Sequence, residues 1–148
     1  MIEPFDISGK VIAITGASSG LGHHFAGTLS TKGATTILGA RRKDKLESRV
    51  EEITDLGGKA EALPLDVNDS KSINEFLDQA FKHYGRVDVL INNAGVEAGA
   101  KTYQTTEEED WDYVINTNLK SAWMISNCLL YTSQSPRDRT RYRMPSSA

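Results

Sequence analysis

The chain has 148 residues, 39% apolar and 25% charged, with a formal net charge of −3. That balance suits an ordinary globular domain with one core, and the acidic excess argues against a nucleic-acid partner. No stretch reaches the roughly 20 apolar residues of a membrane span, and one cysteine, Cys128, excludes an internal disulfide framework. Met1 to Lys10 carries Glu3 and Asp6 and no apolar core, so no secretory signal is expected, and the expected location is cytoplasmic.

Strand and helix signals alternate along the chain without a long linker. Val11-Ile12-Ala13-Ile14 reads as a buried strand that runs into the glycine-rich turn Thr15 to Gly22, TGASSGLG, and then a helix. Leu21, Phe25 and Leu29 fall at i, i+4 and i+8, which predicts one buried stripe ending at Gly33. Thr35 to Ala40 is the second strand, and Leu46, Val50 and Ile53 carry a helix to Gly57-Gly58. Ala60 to Val67 reads as a third strand, with Pro64 removing a ladder donor from its middle. Ile73, Phe76, Leu77, Ala80, Phe81 and Tyr84 mark a strongly amphipathic helix closed by Gly85. After a strand at Val87 to Ile91, Thr106 and Glu109 predict a capping box opening a helix through Trp111, Val114, Ile115, Leu119 and Ala122. The alternation predicts an α/β fold of three layers, a parallel sheet covered by helices on both faces.

The glycine turn is the first candidate site. A strand that breaks into such a turn and a helix points backbone N–H groups outward, where the helix dipole favours an anion. Gly16 permits the tight turn, Gly20 lets the backbone approach a pyrophosphate, and Gly22 lets the helix pack closely. The spacing is G-x-x-x-G-x-G, without the G-K-[ST] ending of a nucleoside triphosphate site. His23 and His24 have no partners at metal-ligand spacing and read as ordinary helix residues. The Glu107 to Asp110 run suits the dipole of a helix's first turn.

Taken with Asn92-Asn93-Ala94-Gly95 after the fourth strand, this turn resembles the classical short-chain dehydrogenase/reductase family, with motifs in the family's order from about Lys10 to Asn127. The resemblance implies a Rossmann-type fold whose turn, Gly16, Ser18, Ser19, Gly20 and Leu21, seats the dinucleotide. NAD-specific members carry an acid at the end of the second strand. Here that place holds Ala40, Arg41 and Arg42, and a guanidinium offers its fork of donors to a 2′-phosphate, so NADP is favoured over NAD. The alternative is a solvated basic loop from Arg41 to Lys45. By the same resemblance Asp66 and Val67 meet the adenine, although an Asx-turn or helix cap at Asp66 is the competing reading. Asn92, Ala94 and Gly95 line the ribose side, and Asn93 ties neighbouring strands together. Asn118 matches the asparagine of the family's Asn-Ser-Tyr-Lys set, its main-chain carbonyl holding a water on the proton relay. The resemblance further implies a small carbonyl or alcohol substrate, of the 3-oxoacyl-reductase or sugar/alcohol-dehydrogenase kind, and a homo-oligomeric parent.

Two departures stand against it. No tyrosine carries a lysine four positions on: Tyr84, Tyr103, Tyr113, Tyr131 and Tyr142 are followed there by Asp88, Glu107, Thr117, Ser135 and Ser146. From Cys128 the composition changes to CLLYTSQSPRDRTRYRMPSSA, with Arg137, Arg139, Arg141 and Arg143 against Asp138. This stretch resembles a translated transposase-type sequencing adapter, from which Gln134 and Tyr142 each depart by a single base. Residues 1–127 are therefore expected to be the N-terminal part of a dinucleotide-binding domain, truncated after the fourth strand and following helix. Residues 128–148 are expected to be a non-native, disordered tail. Two function classes follow: part of an NADP-dependent oxidoreductase, in a chain itself inactive, or a non-catalytic dinucleotide-binding sensor or scaffold.

Overall fold

The computed structural model describes residues 6–99, 102 and 104–132. In chain order the elements are β1 (Val11–Thr15), α1 (Gly20–Thr31), β2 (Thr35–Ala40), α2 (Lys43–Asp55), β3 (Lys59–Pro64), α3 (Ser70–Tyr84) and β4 (Val89–Ile91). Helix α4 (Glu108–Ile115) then continues through a π-turn, Asn116–Lys120, into α5 (Ser121–Thr132). The strands form one sheet in the order β3-β2-β1-β4, every pair parallel. Among the described residues no helix is long and apolar enough to cross a membrane.

Strand β1 explains the layering. All five of its residues are buried, and successive side chains go to opposite faces. Val11 and Ala13 join Ile37, Leu65, Ile73, Phe76, Leu77 and Ile125 in a core beneath α3 and α5. Ile12 and Ile14 join Ala26, Leu38, Leu46 and Ile53 beneath α1 and α2. The expected three-layer α/β architecture is therefore present. Helix α3 buries Ile73, Phe76, Leu77 and Ala80, is capped by Asp69, which accepts from the Lys71 N–H, and ends at Gly85 in the left-handed region. Its large apolar side chains each contribute about 1.5–3 kcal/mol by burial, so Phe76 is a principal anchor of that layer.

Several local expectations shift. In α1 the fully buried stripe is Gly22, Ala26 and Ser30; of the expected residues Phe25 and Leu29 pack partly buried against the core, while Leu21 is exposed. Small residues face the sheet because the helix lies too close for a leucine there. Pro64 ends β3 and does not interrupt it, and it pairs with Ala40 on the edge strand, where a missing donor costs least. The capping box forms one residue later than expected, between Glu107 and Asp110, and the Thr106 hydroxyl instead donates to the Thr102 carbonyl. Trp111 and Leu119 are exposed; the residues that turn inward are Thr117, Ser121 and Ile125. Helix α5 also passes the compositional boundary at 127. Cys128 and Leu129 continue the inward spacing from Ile125 and pack against the core, and the helix reaches Thr132. The rest of the expected tail, residues 133–148, lies outside the described residues, as does Tyr103.

Candidate functional site

Strand β1 lies between β2 and β4, so the chain reverses its direction of sheet growth at β1. In an open α/β sheet a crevice forms outside the carboxyl ends of the strands at such a reversal. A cleft of about 670 Å³ lies there, lined by residues from every βα loop described.

The turn after β1 forms one wall. Gly16 has φ +68°, and a Cβ on it would stand 2.7 Å from Ala94 Cα, so the turn and the loop after β4 touch backbone to backbone. A Cβ on Gly22 would meet Asn93 Nδ2 at 2.5 Å and the Gly16 carbonyl at 2.6 Å. Asn93 is the clamp between these loops: Nδ2 donates to the Thr15 carbonyl at 3.0 Å and to that of Gly16 at 3.2 Å. The Thr15 hydroxyl accepts from the N–H groups of Asn93 and Ala94 at 3.0 and 2.9 Å. The N-terminus of α1 has no side-chain cap and no acid in its first turn. Its N–H groups are thus left for an anion.

The turn after β2 supplies the cations. Arg42 Nη2 donates to Ser18 Oγ and to Ser19 Oγ, both at 2.9 Å, so the basic pair reaches across to the glycine turn. Arg41 lines the same cleft. After β3, Asp66 Oδ1 accepts from the Asn68 N–H at 3.0 Å, while the Asp66 N–H donates to Ser72 Oγ at 2.9 Å. Asp66 therefore makes an Asx-turn and lines the cleft as well, and the helix cap falls to Asp69.

The cleft brings together Gly16, Ser18, Ser19, Leu21, Arg41, Arg42, Asp66, Val67, Ala94 and Gly95 of the residues singled out from sequence. Gly20 borders a smaller hollow beside His23 and Lys45. Asn92 turns its amide to Ser126 Oγ on α5, at 3.0 Å. Asn118 sits in the π-turn, not in a regular helix; its Oδ1 accepts from the Val96 N–H and its Nδ2 donates to the Val96 carbonyl, both at 2.8 Å. Asn68, Val96, Tyr113 and Thr117 line the cleft without having been singled out. Asn68, Val96 and Thr117 each lie next to a residue that was singled out, Val67, Gly95 and Asn118, and that adjacency is the sequence signal they carry.

Fold and cleft together define a Rossmann-type α/β domain. The chain belongs to the short chain dehydrogenase family, whose profile matches residues 10–135. It is 40% identical over 124 residues to a 3-oxoacyl-[acyl-carrier-protein] reductase of Thermotoga maritima, covering 84% of this chain and 50% of that protein. It is also 40% identical over 114 residues to an 11-beta-hydroxysteroid dehydrogenase-like protein of Arabidopsis thaliana, covering 76% of this chain and 37% of the relative. Among solved structures, a metagenomic short-chain oxidoreductase in complex with NADP superposes with a TM-score of 0.79 at 36% identity, over 85% of this chain and 57% of the other. A 3-ketoacyl-(acyl-carrier-protein) reductase from Brucella melitensis complexed with NADH gives 0.79 at 29% identity, over 84% and 50%. The chain spans about half the length of curated relatives it matches.

Proposed function

We propose that this chain is the NADP(H)-binding part of an oxidoreductase that moves hydride between nicotinamide and a carbonyl or alcohol. The observation that carries the reading is the convergence of the uncapped α1 terminus, Arg41, Arg42 and Asp66 on one cleft at the strand ends. The donor set suits the cofactor. The α1 terminus with Ser18 and Ser19 would hold the pyrophosphate. Arg41 would hold the 2′-phosphate, with Arg42 adding charge beside it while bonded to Ser18 and Ser19, and no acid at position 40 opposes it. Asp66 and Val67 would meet the adenine, with Ala94 and Gly95 toward the ribose, while Asn92 would support that loop from behind through Ser126. Asn118 would stand on the side where the cofactor, when bound, supplies a hydride. The relatives named as 3-oxoacyl and ketoacyl reductases favour a carbonyl substrate, and the chain's own residues do not narrow it further. The lack of a Tyr-x-x-x-Lys pair within the 148 residues favours a chain that binds cofactor without turning it over. The same lack is compatible with a dinucleotide-binding sensor.

Isothermal titration of the 148-residue chain with NADP⁺ and NAD⁺ tests the assignment. Tighter binding of NADP⁺ is expected. Equal affinities would mean that Arg41 and Arg42 do not select a 2′-phosphate.

A further inference from the structure

Asn68 and Thr117 are 49 positions apart and meet at the wall of the cleft. Asn68 Nδ2 donates to Thr117 Oγ1 at 2.9 Å, and the hydroxyl donates back to Asn68 Oδ1 at 3.3 Å. Thr117 is 4% exposed. Parting the pair would leave its hydroxyl buried and unpaired, so the loop after β3 and the helix are held to move together. Asn68 is also tied back to the base-facing side of the cleft, since its N–H donates to Asp66 Oδ1. The next residue after Thr117 is Asn118, whose amide grips both backbone groups of Val96. Both residues lie in the π-turn, a widened turn of the kind found at functional sites. Adjacent residues of one turn thereby hold two different loops, Thr117 the loop after β3 and Asn118 the loop after β4.

We infer that Asn68 and Thr117 are a positioning pair, through which filling the Asp66-Val67 side of the cleft sets the placement of Asn118. The inference rests on the dinucleotide reading of the cleft. It assigns a role to residues whose side chains hydrogen-bond to each other and to neither the glycine turn nor the Asn118 side chain. A ligand that orders Asp66 and Val67 also fixes Asn68, and Asn68 carries Thr117 and the start of the π-turn with it. The coupling acts through a two-partner hydrogen bond, so it should disappear when the hydroxyl is removed and survive when only the methyl is lost.

The probe is adenosine 2′,5′-bisphosphate, which spans only the adenine side, added to the ¹⁵N-labelled full chain and followed by NMR. In the unmodified chain it should shift the amide signals of Ser18, Ser19, Asp66 and Val67, and also the Asn118 side-chain amide. Thr117→Val should keep the first group of shifts and lose the Asn118 shift, and Thr117→Ser should retain both. Asn68→Ala, at an exposed loop position, should lose the Asn118 shift in the same way and carries the test if Thr117→Val does not fold. No shift at Ser18, Ser19, Asp66 or Val67 in the unmodified chain would remove the dinucleotide reading itself. Shifts there with an Asn118 response that is absent in the unmodified chain, or that persists in Thr117→Val or Asn68→Ala, would overturn the coupling alone.

Discussion

The Arg42 guanidinium donates to Ser18 Oγ at 2.9 Å, binding the end of β2 to the glycine turn ahead of α1. A second hydrogen bond of the same length goes to Ser19. The two arginines of this loop are therefore not equivalent. Arg42 holds the turn on which any dinucleotide would sit. Arg41 lines the cleft with no hydrogen bond or ion pair to its side chain among the described residues.

This division predicts different cofactor profiles. Arg41→Ala should weaken NADP binding about 10- to 100-fold and leave NAD nearly unchanged, because a charge-assisted hydrogen bond to phosphate contributes about 1.5–3 kcal/mol. Arg42→Ala should weaken both cofactors, since it frees Ser18 and Ser19. Ala40→Asp should depress NADP further by adding repulsion against the phosphate. Isothermal titration of each variant with both cofactors reads the pattern. Equal losses for NADP and NAD in Arg41→Ala would show that Arg41 does not discriminate.

Gly22 offers a packing test. Alanine is worth about 1 kcal/mol over glycine inside a helix. Here its methyl would meet Asn93 Nδ2 at 2.5 Å and the Gly16 carbonyl at 2.6 Å, both fixed by the clamp between the loops. Overpacking of that kind costs about 1–3 kcal/mol, so Gly22→Ala should lower the urea midpoint with an unchanged slope. Gly27→Ala in the same helix is the control. Its methyl would meet the Arg49 guanidinium, the far end of a flexible side chain, which can swing away at the cost of its ion pair with Glu52 and its hydrogen bond to the His23 carbonyl. Gly27→Ala should therefore lower the midpoint less than Gly22→Ala does. A Gly22→Ala midpoint at or above the parent's would mean that α1 does not sit this close to the turn.

Tyr84, at the end of α3, predicts an alkaline dependence of stability. Burial, followed by hydrogen bonding to and the charge of Glu61, pushes its phenol up to about 12 from the ordinary 10. The folded state thus holds the phenol proton more tightly than the unfolded chain does. Stability from this group is complete below pH 10 and is lost as pH rises from 10 to 12. Tyr84→Phe keeps the ring in place and removes the titration. Urea midpoints measured from pH 9 upward should fall more steeply for the parent than for Tyr84→Phe above pH 10, and parallel curves would contradict the assigned cause.

The glycine turn and the Asn-Asn-Ala-Gly loop are legible in the sequence because each meets a backbone demand that few residues satisfy. Gly16 needs a positive φ and has no room for a methyl, and Asn93 must reach two carbonyls. Helix α3 is legible because its buried stripe is led by the large apolar residues Ile73, Phe76 and Leu77 at helical spacing. Helix α1 obeys the same rule only in part, with Phe25 and Leu29 at the margin of the core. Closeness to the sheet selects Gly22, Ala26 and Ser30, and a reading by hydrophobic size picks the neighbouring stripe. In α4 and α5 the π-turn inserts a change of phase, so an unbroken 3.6 period places Leu119 inward when it is exposed. Thr117, a buried threonine bonded to Asn68 across 49 positions, leaves no local trace at all.

The last prediction concerns turnover. Tyr113 is the one tyrosine that lines the cleft among the described residues, and the position four residues on is Thr117, committed to Asn68. No lysine follows any tyrosine at that spacing in the 148 residues. General acid–base catalysis typically contributes about 10²- to 10⁴-fold, and the cofactor-binding residues cannot replace it. The purified chain should therefore bind NADPH and yet reduce no carbonyl compound, with NADPH absorbance holding level beside a heat-killed control. Steady loss of NADPH with matching appearance of an alcohol would sink this reading. It would require a proton donor among Tyr113, Asn118 and their neighbours.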